Sequence, residues 1–557
     1  MGRTVAIGVQ SFEELIKKEY FYIDKTNFIK EWWENGDTAT LIARPRRFGK
    51  TLNMSMLEQF FSVEYAGRGE LFEGLSIWED EKYRELQGTY PVISLSFARV
   101  KETSYQITRD KICEIIRNEY IRFSFLKESD VLTDADKAYF DRVLSVDVGD
   151  SDITSSLYQL SNFLYRYYGK KVIILLDEYD TPMQEAYIRG YWDDIVVFTR
   201  SLFNSTFKTN PSLERGIMTG ITRVSKESIF SDLNNLKVVT TTSDEYATSF
   251  GFTEEEVFAA MDEMGLTEKD VVKKWYDGFI FGKFGDIYNP WSIINYLDTG
   301  KIDTYWANTS SNSLVSKLLR EGNKAIKEQF ELLLQGETIE TELDEQIVYN
   351  QLGKKKGAIW SLLLASGYLK VEKVNITEGI YCLKLTNYEV KRMFSSMVSD
   401  WFQDEDNVYN DFIKALLLND KRAMNRFMNK VALHTFSYFD TGKRRSEAEP
   451  ERFYHGFVLG LMVELSNRYV LTSNRESGFG RYDVMLEPKN LKDNAYILEF
   501  KVHDKEDDEK TLEDTVANAL AQIEDKKYEV ALIEKGIPKE HIYKYGFDFE
   551  GKKVLIG

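Results

Sequence analysis

The segment Thr38-Ala-Thr-Leu-Ile-Ala-Arg-Pro-Arg-Arg-Phe-Gly-Lys-Thr51 joins a β-branched apolar strand to a loop, and the helical pattern LNMSMLEQFFS follows directly. This order of strand, loop and helix indicates a phosphate-binding loop, because backbone N–H groups at the start of a helix can surround phosphate oxygens. Gly49, Lys50 and Thr51 fill the last three positions of such a loop. Arg44 stands where the standard pattern has its first glycine, so the strict pattern fails.

A second segment supplies the carboxylates that this loop lacks. The apolar run Val172 to Leu176 leads into Asp177 and Glu178, so it predicts a buried strand with acids at its carboxyl end. Asp177 is expected to hold Mg²⁺, and Glu178 to orient or deprotonate the attacking water. The alternative is a strand that simply ends in a polar turn.

Cationic residues flank the predicted phosphate position. Arg46 and Arg47 precede Phe48 in the loop, and the whole stretch from Arg46 to Thr51 is expected to contact ATP. The alternative for the two arginines is a solvated basic turn. Arg223 follows a predicted strand at a position suited to sensing the γ-phosphate or water, although an exposed strand end fits that residue nearly as well.

The order of elements predicts an α/β fold with a doubly wound P-loop ATPase core. Apolar strand patterns alternate with helical ones, which favours a parallel sheet buried on both faces. From about residue 252 short helical patterns predict a helical lid. Helices leading into a hairpin then predict a winged-helix-like middle region, and a restriction-endonuclease-like α/β domain follows. The core strands are predicted at 38–43, 91–97, 171–176 and 215–222.

The C-terminal part contains a second set of phosphate-handling residues. Asp483 lies on one predicted strand, and Glu499 and Lys501 lie on the next, on one face because strand side chains repeat every two residues. Two carboxylates that hold Mg²⁺ and a lysine that stabilises charge suit phosphodiester hydrolysis. The alternative is an edge strand whose Glu and Lys face water. The strands of this domain are predicted near 468–473, 481–487, 494–502 and 528–533, after a helix at 452–467.

Several residues are weaker candidates for this second site. A further acid is expected from the first helix of the domain, and a histidine or an arginine is a candidate phosphate contact. These residues are Glu451, Glu464, Glu476, His455 and Arg481. The acidic run 504–509 is expected to be solvated and to repel nucleic acid.

Five stretches resemble the AAA-ATPase-like family of bacterial multidomain proteins. They are IGVQSFEELIKKEYFYIDKTNFI, RPRRFGKT, LLDEYD, MTGITRVSKESIFSDLNN and WYDGFIFGKFGDIYNPWSI. In that family the loop form with Arg44 is itself characteristic, and a C-terminal PD-(D/E)XK nuclease-superfamily domain is common. FYHGF, RESGFGRYDV and LEFK resemble that domain, and ALAQIEDKKY resembles its following helix, which implies that Gln522 and Tyr528 lie near the site.

Length and composition are those of a multidomain globular protein. At about 150 residues per domain, 557 residues predict three or four domains. A net charge of −18 argues against nonspecific coating of nucleic acid or anionic membrane, and two cysteines far apart fit a reducing, cytoplasmic setting. No apolar run is long enough to predict a membrane span. The predicted domains are 1–250 (ATPase core), 251–304 (lid), 305–440 (helical or winged-helix-like) and 441–557 (nuclease-like).

The sequence therefore predicts an ATPase coupled to a Mg²⁺-dependent nuclease that acts on DNA or RNA. A different class of function is a signalling switch whose C-terminal domain binds nucleic acid or a partner without cutting. In a third hypothesis the winged helix binds duplex DNA and the ATPase is a motor. The net negative charge argues against such movement along DNA. A homo-oligomer or an activating protein partner would be needed if an arginine finger acts in trans.

Overall fold

The computed structural model describes residues 3–223, 230, 233–307, 313–321, 324–343, 352, 357–375, 377–400, 408–435, 462, 465, 468–477, 480–502, 511–550 and 553–557. The chain forms two compact units, one of residues 1–318 and 336–391, the other of residues 319–335 and 392–557. The four-domain division stays a prediction.

A five-stranded parallel sheet forms the centre of the first unit. Its strand order is β2-β3-β4-β1-β5, so β4 lies between the loop strand β1 and the acidic strand β3. Every residue of β1 and β3 is buried, as their continuous apolar runs predict. The α/β fold class is thus confirmed. The strands are β1 (Ala39–Ala43), β2 (Val92–Ser96), β3 (Val172–Asp177), β4 (Leu213–Gly220) and β5 (Leu236–Val239).

Helices accompany these strands in the expected alternation. The helix after the phosphate loop starts at Lys50, directly after Gly49, whose φ of 79° lies in the left-handed region that glycine adopts without strain. The helices are α1 (Phe12–Lys17), α2 (Asn27–Asn35), α3 (Lys50–Phe61), α4 (Glu81–Leu86), α5 (Tyr105–Arg122), α6 (Asp134–Leu144), α7 (Asp150–Tyr168), α8 (Thr181–Arg189) and α9 (Trp192–Phe207). Within the described ranges, no helix has the length and apolar character needed to cross a membrane.

The region after residue 250 contains strands as well as the predicted short helices. A small antiparallel sheet of order β6-β8-β7 includes a hairpin that turns at Gly282, where a Cβ would lie 2.2 Å from Asp244 Oδ1. The helical interpretation overlooked this hairpin. The elements are β6 (Phe252–Thr253), α10 (Glu254–Met264), α11 (Lys269–Tyr276), β7 (Phe279–Phe281), β8 (Phe284–Tyr288) and α12 (Pro290–Thr299).

The rest of the first unit holds a third, antiparallel sheet of order β10-β11-β9 beside a buried helix. The predicted hairpin is present as β10 and β11, while the winged-helix assignment stays a prediction. The elements are β9 (Ile339–Glu342), α15 (Ala358–Ala365), β10 (Leu369–Asn375) and β11 (Ile380–Leu385). The unit boundaries fall within α13 (Ser313–Glu321) and α16 (Tyr388–Asp400).

The second unit is built on a mixed five-stranded sheet of order β12-β13-β14-β15-β16, in which only β14 and β15 pair in parallel. The strand predicted near 528–533 is wrong. Tyr528, Glu529 and Leu532 are buried at helical spacing, and a short apolar run cannot by itself distinguish a helix from a strand. The elements are α14 (Lys324–Gln335), α17 (Val408–Leu417), α18 (Lys421–Thr435), β12 (Tyr469–Ser477), β13 (Gly480–Pro488), β14 (Ala495–Val502), α19 (Leu512–Asp525), α20 (Val530–Glu534), β15 (Ile542–Glu550) and β16 (Lys553–Ile556).

Candidate functional site

The carboxyl edge of the central sheet brings a hydroxyl and a carboxylate together. Thr51 Oγ1 donates to Asp177 Oδ2 at 2.7 Å, and Thr219 Oγ1, near the end of β4, donates to Asp177 Oδ1 at 2.5 Å. Burial is the main cause that raises the pKa of Asp177, and the charge of Glu178 adds to it. Sequence reasoning missed Thr219, although its place at the end of an apolar strand marks the same edge.

Lys50 and Glu178 form an ion pair beside this carboxylate. Lys50 Nζ lies 3.3 Å from Glu178 Oε1 and donates to the carbonyls of Arg44 at 3.1 Å and Pro45 at 3.0 Å. The lysine is almost wholly buried. Glu178 has a φ of 53° and Arg47 a φ of 64°, and non-glycine residues held in this left-handed region concentrate at functional sites.

The Arg44 side chain is buried against residues that follow β5. Its fully buried guanidinium donates to the carbonyls of Thr240 and Glu245 and lies 4.4 Å from the ring centre of Phe281. Burial lowers the pKa of Arg44 to about 9. The residue that replaces the standard glycine thus connects the loop to the segment after β5.

The other two loop arginines are held by residues far along the chain. Arg46 donates to Gln184 Oε1 at 3.1 Å, and its carbonyl accepts the Trp306 indole N–H at 3.0 Å. The Arg47 guanidinium lies 4.3 Å from the ring centre of Trp291. Arg46 is half-buried and Arg47 is exposed. The contact of both arginines with ATP stays a prediction.

The apolar residues of the loop are packed by residues that follow position 250. Phe48 is 1% exposed and meets Phe279 edge to face, with ring centres 4.8 Å apart. A Cβ on Gly251 would lie 3.1 Å from the Phe48 ring, and a Cβ on Gly367 would lie 2.9 Å from Pro45 Cγ. A loop with one glycine therefore keeps its shape through tertiary contacts. This placement gives Phe48 a packing role.

The turn after β4 carries Arg223 and rests on a buried carboxylate. Asp180 Oδ2 accepts from the backbone N–H of Ile221 at 3.1 Å and of Thr222 at 2.9 Å, and from Thr222 Oγ1 at 2.8 Å. Arg223 itself is half-buried. Sequence reasoning missed Asp180, although it lies three positions after Asp177 at the start of a helix.

The residues at this edge fit a nucleotide with Mg²⁺. A hydroxyl and a carboxylate within hydrogen-bonding distance are the hard oxygen ligands that Mg²⁺ prefers, and Thr51 and Asp177 provide them. Lys50 provides a buried cation beside the start of α3, where backbone N–H groups suit an anion.

The C-terminal sheet brings the predicted nuclease residues together. Asp483 on β13 and Glu499 on β14 are cross-strand neighbours one step beyond the ladder pair Val484 and Leu498, and Asp483 Oδ2 accepts the Phe500 backbone N–H at 2.8 Å. Burial raises the pKa of Asp483, and the nearby positive charge of Lys501 opposes that rise. Glu499 is 2% exposed.

A helix and a fourth strand complete this group. Gln522 on α19 donates to Glu499 Oε1 and, at 3.3 Å, to the Tyr528 hydroxyl. The fully buried Asp548 on β15 is the register partner of Lys501. Partners on parallel strands project to one face, so Asp548 shares the face of Glu499 and Lys501. Sequence reasoning missed Asp548 because it overlooked β15.

The side chains of the weaker candidates lie outside the described residues. Glu476 on β12 and Arg481 on β13 are opposite each other in the antiparallel ladder, and their side chains lie outside the described residues. The helix predicted at 452–467 also lies largely outside them, as do Glu451, His455 and Glu464.

Comparison with known proteins agrees with both family resemblances. Residues 6–230 match the family described as "Predicted AAA-ATPase", and residues 449–557 match the PD-(D/E)XK nuclease superfamily. These matches confirm the resemblance and identify two regions of enzyme type. The "Uncharacterized protein in vnfD 5'region" of Azotobacter chroococcum mcd 1 is 24% identical over 570 residues, 99% of this chain and 98% of that protein. The similarity thus extends through both matched regions and the residues between them.

Proposed function

We propose that this chain binds and hydrolyses ATP with Mg²⁺ at the carboxyl edge of the central sheet, and that its C-terminal domain is a Mg²⁺-dependent nuclease acting on DNA or RNA. The observation that carries the first part is the convergence of Lys50, Thr51, Asp177 and Glu178 from two separate segments. The second part rests on the grouping of Asp483, Glu499 and Lys501.

Each residue of the ATP centre has one role in this proposal. Thr51 and Asp177 hold Mg²⁺, which when bound neutralises phosphate charge. Lys50 exchanges the carbonyls of Arg44 and Pro45 for phosphate oxygens. Glu178 orients the attacking water and accepts its proton. Arg46, Arg47 and Arg223 add positive charge near the terminal phosphate.

In the C-terminal domain Asp483 and Glu499 hold Mg²⁺ at the scissile phosphate, and Lys501 stabilises the charge that develops there. Gln522 orients Glu499 through its amide, and Tyr528 supports Gln522. Asp548 is our candidate for a further acid, because it lies on the same face beside Lys501.

A second candidate function is an ATP-dependent regulatory switch whose C-terminal domain binds nucleic acid or a protein partner without cutting. The observation that favours it is the net charge of −18, since nuclease affinity for the phosphate backbone depends on positive charge.

The two functions are separated by incubating the full chain with plasmid DNA and with RNA, with and without ATP and Mg²⁺. We expect Mg²⁺-dependent cleavage that changes with ATP and disappears in Asp483→Ala and Lys501→Ala, while both variants keep ATP hydrolysis. Cleavage that persists in both variants refutes the nuclease assignment. Binding without cleavage by the unaltered chain favours the switch.

A further inference from the structure

A continuous series of hydrogen bonds joins the phosphate loop to the turn that carries Arg223. Arg46 donates to Gln184 Oε1 at 3.1 Å, and Gln184 Nε2 donates to Asp180 Oδ2 at 3.0 Å. The same oxygen accepts from Thr222 Oγ1 at 2.8 Å and from the Thr222 backbone N–H at 2.9 Å. The series therefore runs between two loops that are far apart in sequence.

Asp180 stands at the start of a helix, but it does not make the capping hydrogen bond that an aspartate usually makes there. It occupies the N-cap of α8, where an Asp side chain normally accepts a backbone N–H of the first helical turn. Here the side chain makes no such capping bond. Its Oδ2 is directed to residues 221 and 222 instead, while its Oδ1 has no hydrogen-bond partner among the described residues.

The space around Asp180 shows that this arrangement is tightly built. The side chain is fully buried, and a Cβ on Gly220 would lie only 2.7 Å from Asp180 Oδ1. Tyr179, the preceding residue, donates its hydroxyl to the Thr222 carbonyl at 2.8 Å. Neighbouring residues thus hold both sides of Thr222, the residue before Arg223.

Gln184 is chemically suited to the middle of this series. A primary amide accepts through its oxygen and donates through its nitrogen, so it can bridge a guanidinium and a carboxylate at once. A glutamate there would still accept from Arg46, but it could not donate to Asp180 and would bring two carboxylates together.

We infer that Gln184 and Asp180 are positioning residues that couple Arg46 to the turn carrying Arg223, so that both arginines are set together for the terminal phosphate of ATP and ATP is distinguished from ADP. This inference rests on the proposed ATP site and adds the residues that set its triphosphate selectivity. Neither residue needs to touch the nucleotide.

The test measures the affinity of the full chain for ADP and for a non-hydrolysable ATP analogue with Mg²⁺ by calorimetric titration. We expect Gln184→Ala to weaken binding of the ATP analogue about tenfold, and that of ADP by less than about twofold, because one or two hydrogen bonds are lost at the terminal-phosphate side only. Glu185→Ala, at the next half-buried position of α8, is the matched control and should change neither affinity.

Two further variants separate coupling from simple loss of structure. Gln184→Glu should weaken binding of the ATP analogue in the same way, and its melting temperature should show that it folds. In Arg46→Ala the additional Gln184→Ala change should weaken binding less than it does in the wild type, since the connection between Arg46 and the Arg223 turn is already lost. Equal losses for ATP analogue and ADP, or additive effects of the two substitutions, overturn the inference. A chain that binds neither nucleotide refutes the proposed ATP site itself.

Discussion

The two candidate centres differ in how closely they follow their motifs and in which residues support them. The ATP centre departs from the standard loop pattern at Arg44, and residues after position 240 hold its loop in shape. The C-terminal centre follows its motif closely and takes Asp483 and Glu499 from adjacent strands. The comparison teaches that a phosphate loop can lack its first glycine where long-range contacts hold the loop in shape. The ATP centre should therefore be sensitive to substitutions far from its motif.

The largest expected effect tests whether the centres are chemically independent. Lys50→Met should weaken ATP binding about a thousandfold, because charge-assisted hydrogen bonds to phosphate are lost. Lys501→Met is the matched control and should abolish cleavage while it leaves ATP affinity unchanged. ATP titration and a plasmid cleavage assay measure both. If each variant impairs both activities equally, the separation of the centres is wrong.

The next prediction concerns the absent glycine. Arg44→Gly restores the standard pattern, yet it should lower the free energy of unfolding by about 3 kcal/mol, because the carbonyls of Thr240 and Glu245 lose their donors. ATP affinity should fall as well. Denaturant unfolding measures the first effect, and Arg47→Ala, at an exposed loop position, is the control. A more stable Arg44→Gly protein would contradict the bracing role.

The smallest effect concerns support of the loop by Glu389. Its buried carboxylate accepts the backbone N–H of Trp306 at 2.6 Å, and the Trp306 indole in turn donates to the Arg46 carbonyl. Burial raises the pKa of Glu389 from 4.5 to about 7. Because the folded state binds the proton more tightly than the unfolded state, this residue's contribution to stability is complete below pH 4.5 and is lost as the pH rises to 7.

Between pH 4.5 and 7.5 the wild-type protein should therefore lose about 2 kcal/mol more stability than Glu389→Gln. Denaturant unfolding at several pH values measures the difference, with Glu372→Gln at an exposed position as control. Parallel pH profiles for the wild type and Glu389→Gln would show that Glu389 does not titrate as described.

The sequence predicts the central sheet well because β1 and β3 are continuous apolar runs, which are stable only where both faces of the strand are buried. The sequence also predicts the segments that carry the two candidate centres, 44–51 with 177–178 and 483 with 499–501. It fails for 528–533, where a short apolar run forms α20, and it overlooks the β7–β8 hairpin. Asp180 escapes detection because an Asp at the N-cap of a helix looks like an ordinary capping residue. Gln184 escapes detection because a polar residue on a helix gives no sign in the sequence of its partners. Their partners become visible only when β4 is placed beside β3.

The most direct test of the ATP centre is a single-turnover measurement on Glu178→Gln with radiolabelled ATP and Mg²⁺. Because Glu178 is assigned to water activation and not to binding, the variant should retain ATP at wild-type affinity or tighter, and hydrolysis should slow by at least about a hundredfold. Hydrolysis at the wild-type rate, or loss of ATP binding in this variant, would contradict the assignment of residues 44–51 and 177–178 as the ATP-hydrolysing site.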